Sequence, residues 1–352
     1  MSMQADLVVV GAGIVGATLV ARVRQCLPGL SLMLVDDGQR ASASALSAGL
    51  VTPFCGAGSR RRRSELAFAH YQALSQRWPG VAKVAFSFVA SDGQRPLLFD
   101  AKPLEGRLAA LMHQYRGASA TPALLQAGHA LVIDVPGLVS AYLAPGEGRL
   151  TRLAARVERL DGDGRAWCLQ TSAGAVTARR VIFASGARSN ALLGAIPGSL
   201  IKKIVAFDLQ AAQLPDPTQG VIYMPARKAF VMPNQRRDGW LLSITSADWR
   251  AVADGRVDAL PDEAREAQRI LEQELPGLPI RSLRARAAFD SYCADGEPRV
   301  VCLPGGAGAC ALVGASGSGV RFAPALANEA LVAVGLLADA SAPGFINHCK
   351  ET

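Results

Sequence analysis

Aromatic residues make up only 6% of the chain, and there are only four histidines. Ser, His and acidic residues never fall at the spacing of a hydrolytic triad, so nucleophilic catalysis of that kind is not expected. Seven cysteines stand at positions 26, 55, 168, 293, 302, 310 and 349, and no CxxC pair occurs among them. That excludes the usual ligand spacing of zinc, and no metal is expected. An odd, unpatterned set reads as reduced thiols in a cytoplasmic protein. Apolar runs fall short of the ~20 residues needed to span a bilayer. The opening MSMQAD carries no basic region, so neither a signal peptide nor a membrane span is expected. Internal repeats and low-complexity tracts are also lacking.

Acid is scarcer than base, 29 residues against 37, for a net charge of +8. The basic residues are spread along the chain, whereas a nucleic-acid binder concentrates them on one face, so no nucleic-acid partner is expected. The exception is SRRRR, Ser59 to Arg63. It reads as a solvated loop or as a surface for an acidic partner or substrate. A chain of 352 residues holds a large core and suits two domains.

What the chain has is glycine in chemically telling places. DLVVVGAGIVGATLVARVRQ begins with a short β-branched run, Asp6 to Val10, expected as a buried parallel strand. Gly11, Gly13 and Gly16 follow as G-x-G-x-x-G, and Ala17 to Gln25 has helical composition. In this fingerprint Gly11 makes the tight turn, Gly13 lets the backbone approach a pyrophosphate, and Gly16 lets helix and strand pack closely. The helix N-terminus offers free N–H groups and a partial positive charge. Leu30 to Asp37 reads as a second strand, ending at Asp36, an acid that can accept from ribose hydroxyls. The next stretch, RASASALSAGLVTP, is small and hydroxyl-rich, which suits a loop pressed against a flat ring system.

Five motifs in order carry a resemblance: VVVGAGIVGATLV; LVDDGQRASASALSAGLVTP; Ala155 to Leu193, a β-meander ending in A-x-G-x-x-S; ADGEPRV from Ala294; and GASGSGVRFAPAL from Gly314. Together the chain resembles the D-amino acid oxidase family of FAD-dependent oxidoreductases, on the glycine oxidase and sarcosine oxidase side. The resemblance implies a mixed α/β fold. A Rossmann-like FAD-binding domain (1–80, 150–200 and 290–352) is interleaved with an antiparallel-sheet substrate domain (81–149 and 201–289). Within the second domain, VAFSFVASDGQRPLLF reads as two strands about a turn, Gly220 to Trp249 as three short strands, and Pro261 to Leu275 as an amphipathic helix.

By that resemblance FAD is held non-covalently. Gly11, Gly13, Ile14, Val15, Gly16, Asp36, Asp37 and Arg40 serve its nucleotide half, with Val157, Ala184, Ser185 and Gly186. Ser42, Ser44, Ser47, Ala48, Gly49 and Leu50 form the flavin loop. Gly314, Ser316, Gly317, Ser318, Gly319, Val320 and Arg321 cross the pyrimidine side, with backbone N–H groups near the N1–C2=O edge. The helix after them, Ala323 to Leu337, points its positive end the same way. Arg321 aligns with a basic residue that holds the substrate carboxylate; a helix-start arginine reaching solvent is the other reading. Lys228 and Phe230 stand where the family lines the substrate roof.

Three positions depart from the family. Asp290 occupies the place of a substrate arginine. Either the substrate carries an extra cation, or it lacks the usual carboxylate, or Arg286 is the true counterpart. Ala288 stands where sarcosine oxidases attach flavin covalently, with Cys293 five residues away. Leu241 replaces an oxygen-activating lysine. The implied reaction is oxidation of a C–N bond of an amine or amino acid by hydride transfer to flavin N5, with oxygen or another acceptor regenerating the cofactor. The alternatives are a dehydrogenase for an amino acid or 2-hydroxy acid serving a quinone or partner subunit, and a non-catalytic FAD subunit of a complex. His70, in a helical segment, reads as structural.

Overall fold

The computed structural model describes residues 3–38, 42–53, 58–89, 102–103, 124–146, 148–162, 165–194, 196–211, 220–234, 239–250, 253, 257–304 and 308–339. In chain order the elements are β1 (Met3–Val10), α1 (Ile14–Cys26), β2 (Ser31–Asp36), α2 (Ala43–Leu46), β3 (Leu50–Val51), α3 (Gly58–Leu74), β4 (Val81–Val89), β5 (Lys102–Pro103) and β6 (Leu124–Ile133). Next come α4 (Val135–Leu143), β7 (Arg149–Ala154), β8 (Val157–Gly162), β9 (Trp167–Thr171), β10 (Gly174–Phe183), α5 (Ser189–Leu193) and β11 (Ser199–Ala211). The rest are β12 (Val221–Met224), β13 (Ala229–Asn234), β14 (Gly239–Ile244), β15 (Trp249–Arg250), α6 (Pro261–Glu274), β16 (Ile280–Cys293), β17 (Arg299–Cys302), β18 (Ala309–Val313) and α7 (Gly319–Ala333).

The first sheet runs β17-β18-β10-β1-β2-β7, parallel from β18 through to β7, with β8 and β9 hooked back onto β10 as the expected meander. Its central strands are apolar on both faces because both are covered. Leu7 and Val9 pack under α1, α3 and α7, while Val8 and Val10 face the meander through Leu169 and Val176. Gly16 allows the close fit of α1: a Cβ there would run into the Gly11 carbonyl.

In the second sheet β11 lies between β16 on one edge and β14 and β15 on the other, and the order continues β14-β13-β12-β4-β6-β3. Period-two alternation sorts its side chains. Val205, Phe207, Val231 and Trp240 face α6, through Ile270 and Leu271. Ala206, Met232, Leu241 and Ala288 face the opposite way, toward Leu46 of α2. The three strands expected between 220 and 249 are present, and the helix expected from Pro261 is α6. The expected strand after β4 falls outside the described residues.

The final helix begins at Gly319, four residues earlier than its sequence suggests, and ends where Gly335 turns left-handed at φ 70°. Pro324 therefore lies inside it. A proline in a helix interior leaves the carbonyl four residues back without a donor. Here that carbonyl belongs to Val320, and the fully buried Tyr71 hydroxyl donates to it at 2.8 Å. Tyr71→Phe should lower stability by about 1–3 kcal/mol, the cost of a buried acceptor left unmet. Urea titration measures it, and adding Pro324→Ala, which restores the N–H, should recover part of the loss. An unchanged midpoint in Tyr71→Phe would count against the pairing.

The arginine run is not a solvated loop. It forms the first turns of α3, where Arg60 donates to the Gly296 carbonyl (2.7 Å) and Arg63 grips both carboxylate oxygens of Glu329 (2.8 and 2.9 Å). Only Arg61 and Arg62 are exposed. His70, on α3, is buried against the Tyr142 hydroxyl (3.1 Å), and burial holds its pKa down at about 4. Among the described residues, no helix is long and apolar enough to cross a membrane.

Candidate functional site

A cleft of about 1440 Å³ lies between the two sheets. Ligand pockets run to about 300–1,000 Å³, so it has room for more than one small molecule. One end is built by the fingerprint. Gly11 turns at φ 104°, a left-handed conformation, and a Cβ there would sit 2.7 Å from the Ala184 carbonyl. Asp36, at the end of β2, accepts from the Ala12 N–H (2.7 Å) and the Gly38 N–H (2.8 Å), which ties the turn to the strand. Arg188 reaches Asp37 at 3.1 Å.

Two helices, α1 and α7, start at the cleft wall. Neither has an acid in its first turn, and neither Gly13 nor Ser318 supplies a side-chain cap. Ser44 accepts the Ile14 N–H (2.9 Å). The remaining first-turn N–H groups carry the positive end of each helix and suit an anionic ligand.

The loop 314–318 is clamped from below by the end of β16. Ser291 accepts the Gly314 N–H through its hydroxyl (2.9 Å) and the Ser316 N–H through its carbonyl (2.8 Å). Asp290 accepts the Gly317 N–H (2.7 Å). The Ser318 N–H goes to the Ala315 carbonyl (2.8 Å). Most of the N–H groups expected to meet a ligand are thus used inside the protein. The donors left for one are the Ala315 N–H and those in the first turn of α7. Ser316 (φ 53°) and Lys228 (φ 49°) are the only non-glycine residues at positive φ among the described residues, and both line the cleft. Such strain is held where the surroundings over-determine it, and it concentrates at functional sites.

Asp290 is buried, and burial pushes its pKa up to about 6 against the two N–H bonds, from Gly317 and Ser291, that pull it down. Through those two bonds it clamps the loop from the cleft wall. Arg286 does not line the cleft. It shares a cross-sheet row with Tyr223, Phe230, Ser243 and Ala206, but its guanidinium donates to Asp208 (2.9 Å) and to the Ala45 carbonyl (3.3 Å). It supports α2 instead.

The sequence-predicted residues line the cleft except Gly16, Gly314, Ser318, Arg40 and the alternative Arg286. Gly16 serves packing, and a Cβ on Gly314 would strike the Cys293 sulfur. Ser318 is the N-cap of α7, and Arg40 lies outside the described residues. Tyr223, Ser243 and Tyr292 also line the cleft and had gone unremarked. Tyr292 was legible as the same-face neighbour of Asp290 on a strand. Tyr223 and Ser243 enter through strand register, which leaves no local signal. No cysteine lines the cleft among the described residues, and Ala288 is buried in the sheet face.

Residues 6–331 match the profile of the family described as FAD dependent oxidoreductase, DAO. Over 204 residues the chain is 31% identical to the tRNA 5-methylaminomethyl-2-thiouridine biosynthesis bifunctional protein MnmC of Caulobacter vibrioides. The match covers 54% of this chain and 33% of that one, so the chain spans about a third of its relative's length. Glycine oxidase from Geobacillus kaustophilus superposes with a TM-score of 0.77 at 16% identity, covering 95% of both chains. L-proline dehydrogenase from P. horikoshii gives 0.76 at 14% identity, covering 94% of both.

Proposed function

The chain belongs to the DAO family of FAD-dependent oxidoreductases, and from that premise we propose that it oxidises a C–N bond of a small amine or amino acid held between the second sheet and the 314–321 loop. FAD suits the residues present. The cleft has the volume, two helix N-termini without acids in their first turns open on it, and Gly11, Gly13, Asp36 and the Ser42–Leu50 loop line it together. In this reading segments 1–80, 150–200 and 290–352 hold the cofactor, without a covalent bond, and 81–149 and 201–289 roof the substrate. When bound, FAD supplies the two-electron acceptor that turns an amine into an imine, which water hydrolyses; with oxygen as final acceptor the by-product is hydrogen peroxide.

The protein's own part is binding, orientation and exclusion of water. Arg321, in the first turn of α7, offers a planar fork for a substrate carboxylate. Phe230 and Leu241 form an apolar wall that keeps water from the reacting carbon, with Tyr223 and Ser243 beside them. Asp290 and Ser291 fix the loop on which α7 starts. The observation that carries the reading is the convergence of both chain ends, Gly11–Asp36 and Ser316–Arg321, on one cleft roofed by Lys228 and Phe230.

Leu241 favours a second reading, in which an acceptor other than oxygen takes the electrons. Anaerobic mixing of the holoprotein with D- and L-amino acids, secondary amines, 2-hydroxy acids and an aminomethyl-substituted nucleoside tests the first. An amine should bleach the flavin absorbance within seconds to minutes, and readmitting air should then produce peroxide. Bleaching without peroxide moves the assignment to the dehydrogenase. A flavin that none of the panel reduces sinks both.

A further inference from the structure

Strands β17 and β18 run antiparallel at the edge of the first sheet, and their register sets Cys302 directly opposite Cys310. One residue beyond the pair, the Leu303 N–H donates to the Ala309 carbonyl (2.9 Å). Ladder bonds alternate in an antiparallel pair, so Cys302 and Cys310 occupy a rung that has no hydrogen bonds of its own. On such a rung the Cα atoms lie about 4.5 Å apart and the two side chains stand close together on one face. A disulfide spans Cα atoms about 4.4–6.8 Å apart, so the backbone already meets its requirement. Both residues are free thiols, in unlike surroundings: Cys302 is exposed, whereas Cys310 is fully buried in the core with Ile182 and Leu312. Burial, and then the neighbouring Cys302 thiol, push the Cys310 pKa up to about 12.

We propose that Cys302 and Cys310 are a redox-modification site, at which a peroxide forms a cross-strand disulfide that staples β17 to its sheet. The two thiols divide the chemistry. The exposed Cys302 Sγ takes an oxygen from hydrogen peroxide, becoming a sulfenic acid and releasing one water. The Cys310 Sγ then bonds to the Cys302 Sγ, and its proton leaves with the hydroxyl group as a second water. The pair loses two electrons and two protons, and the peroxide is reduced to water. Strand β17 is the edge of its sheet and pairs only with β18 among the described strands, so a covalent rung fastens it where the ladder ends. Strand β18 runs on from Val313 into the 314–318 loop, and the crosslink braces the strand from which that loop springs. No cysteine lines the cleft among the described residues, so the site stands apart from the amine-oxidation reading.

The test uses reduced holoprotein with no substrate, so the fate of that reading leaves it untouched. A few equivalents of hydrogen peroxide are added, and thiols are counted after denaturation. The count should fall by two from seven, peptide mapping should join Cys302 to Cys310, and dithiothreitol should restore both thiols. The crosslinked form should show a folding constant raised at least tenfold in urea titration, as a disulfide commonly gives. Cys302→Ser, at an exposed position, should keep its Cys310 thiol through peroxide and show no shift of its urea midpoint. In Cys310→Ala the Cys302 sulfenic acid should persist and be trapped by dimedone. Seven thiols surviving in wild type, a link from Cys302 to any other cysteine, oxidation of Cys302 onward to sulfinic acid in wild type, or an unmoved midpoint in the crosslinked form overturns the proposal.

Discussion

Gly16→Ala is expected to yield protein that cannot retain FAD and unfolds at lower denaturant. Alanine favours a helix interior by about 1 kcal/mol over glycine, so propensity alone predicts a gain. Space decides otherwise. The new Cβ would run into the Gly11 carbonyl, which is backbone and cannot rotate away. Gly11 is itself fixed, its N–H donating to the Val35 carbonyl (2.8 Å), and the Ala184 N–H donates to Val10 beside it (2.8 Å). Helix α1 would have to lift from β1, dragging its N-terminus from the cleft wall where the proposed FAD would lie. Overpacking of this kind costs about 1–3 kcal/mol or more. The displaced donors should weaken FAD binding by at least 100-fold, or about 2.7 kcal/mol. Gly29→Ala is the control: nothing lies within 4 Å of the added methyl, and stability should stay level. Flavin-to-protein ratio after gel filtration and urea midpoints read both. Flavin-replete Gly16→Ala protein would contradict the fingerprint geometry.

The Gly11–Asp36 end of this cleft was legible because each of its residues answers a local constraint. A turn at Gly11, a close approach at Gly16 and an acid ending β2 leave marks within 26 residues of one another. The roof was legible only in outline. Phe230 and Lys228 could be named, but the row that joins Phe230 to Tyr223, Ser243 and Ala206 depends on register among four strands, and no single segment encodes it. The early start of α7 was hidden for a related reason. Pro324 reads locally as a helix opening, and only the distant Tyr71 hydroxyl makes it tolerable inside the helix. The arginine run misled in the same way: its partners Gly296, Glu297 and Glu329 lie more than 230 residues on.

Asp290 gives the pH-dependent result. Its carboxyl titrates at about 6 in the folded chain against 3.8 as an ordinary aspartate, with burial as the larger influence and the Gly317 and Ser291 N–H bonds opposing it. An acid whose folded pKa is raised binds its proton more tightly in the native state, so it favours folding as pH falls through 6 and opposes folding above 6. The cost of keeping it ionised at pH 7 is about 3 kcal/mol, from 1.36 kcal/mol per unit. Asn has the same shape but turns an NH2 toward one of the two N–H donors, losing about 1–3 kcal/mol of hydrogen bonding at every pH. Asp290→Asn should therefore match or exceed the wild type in stability at pH 7 and fall about 1–3 kcal/mol below it at pH 4. Guanidine titrations at the two pH values read that reversal. The same substitution should loosen loop 314–318 and weaken FAD binding about tenfold at pH 7, where stability alone predicts no loss. An ionised acid retained at this position trades stability for a fixed loop, as residues serving a site commonly do. If wild type and variant keep a constant stability difference from pH 4 to pH 7, Asp290 is not buried as described, and the clamp on loop 314–318 goes with it.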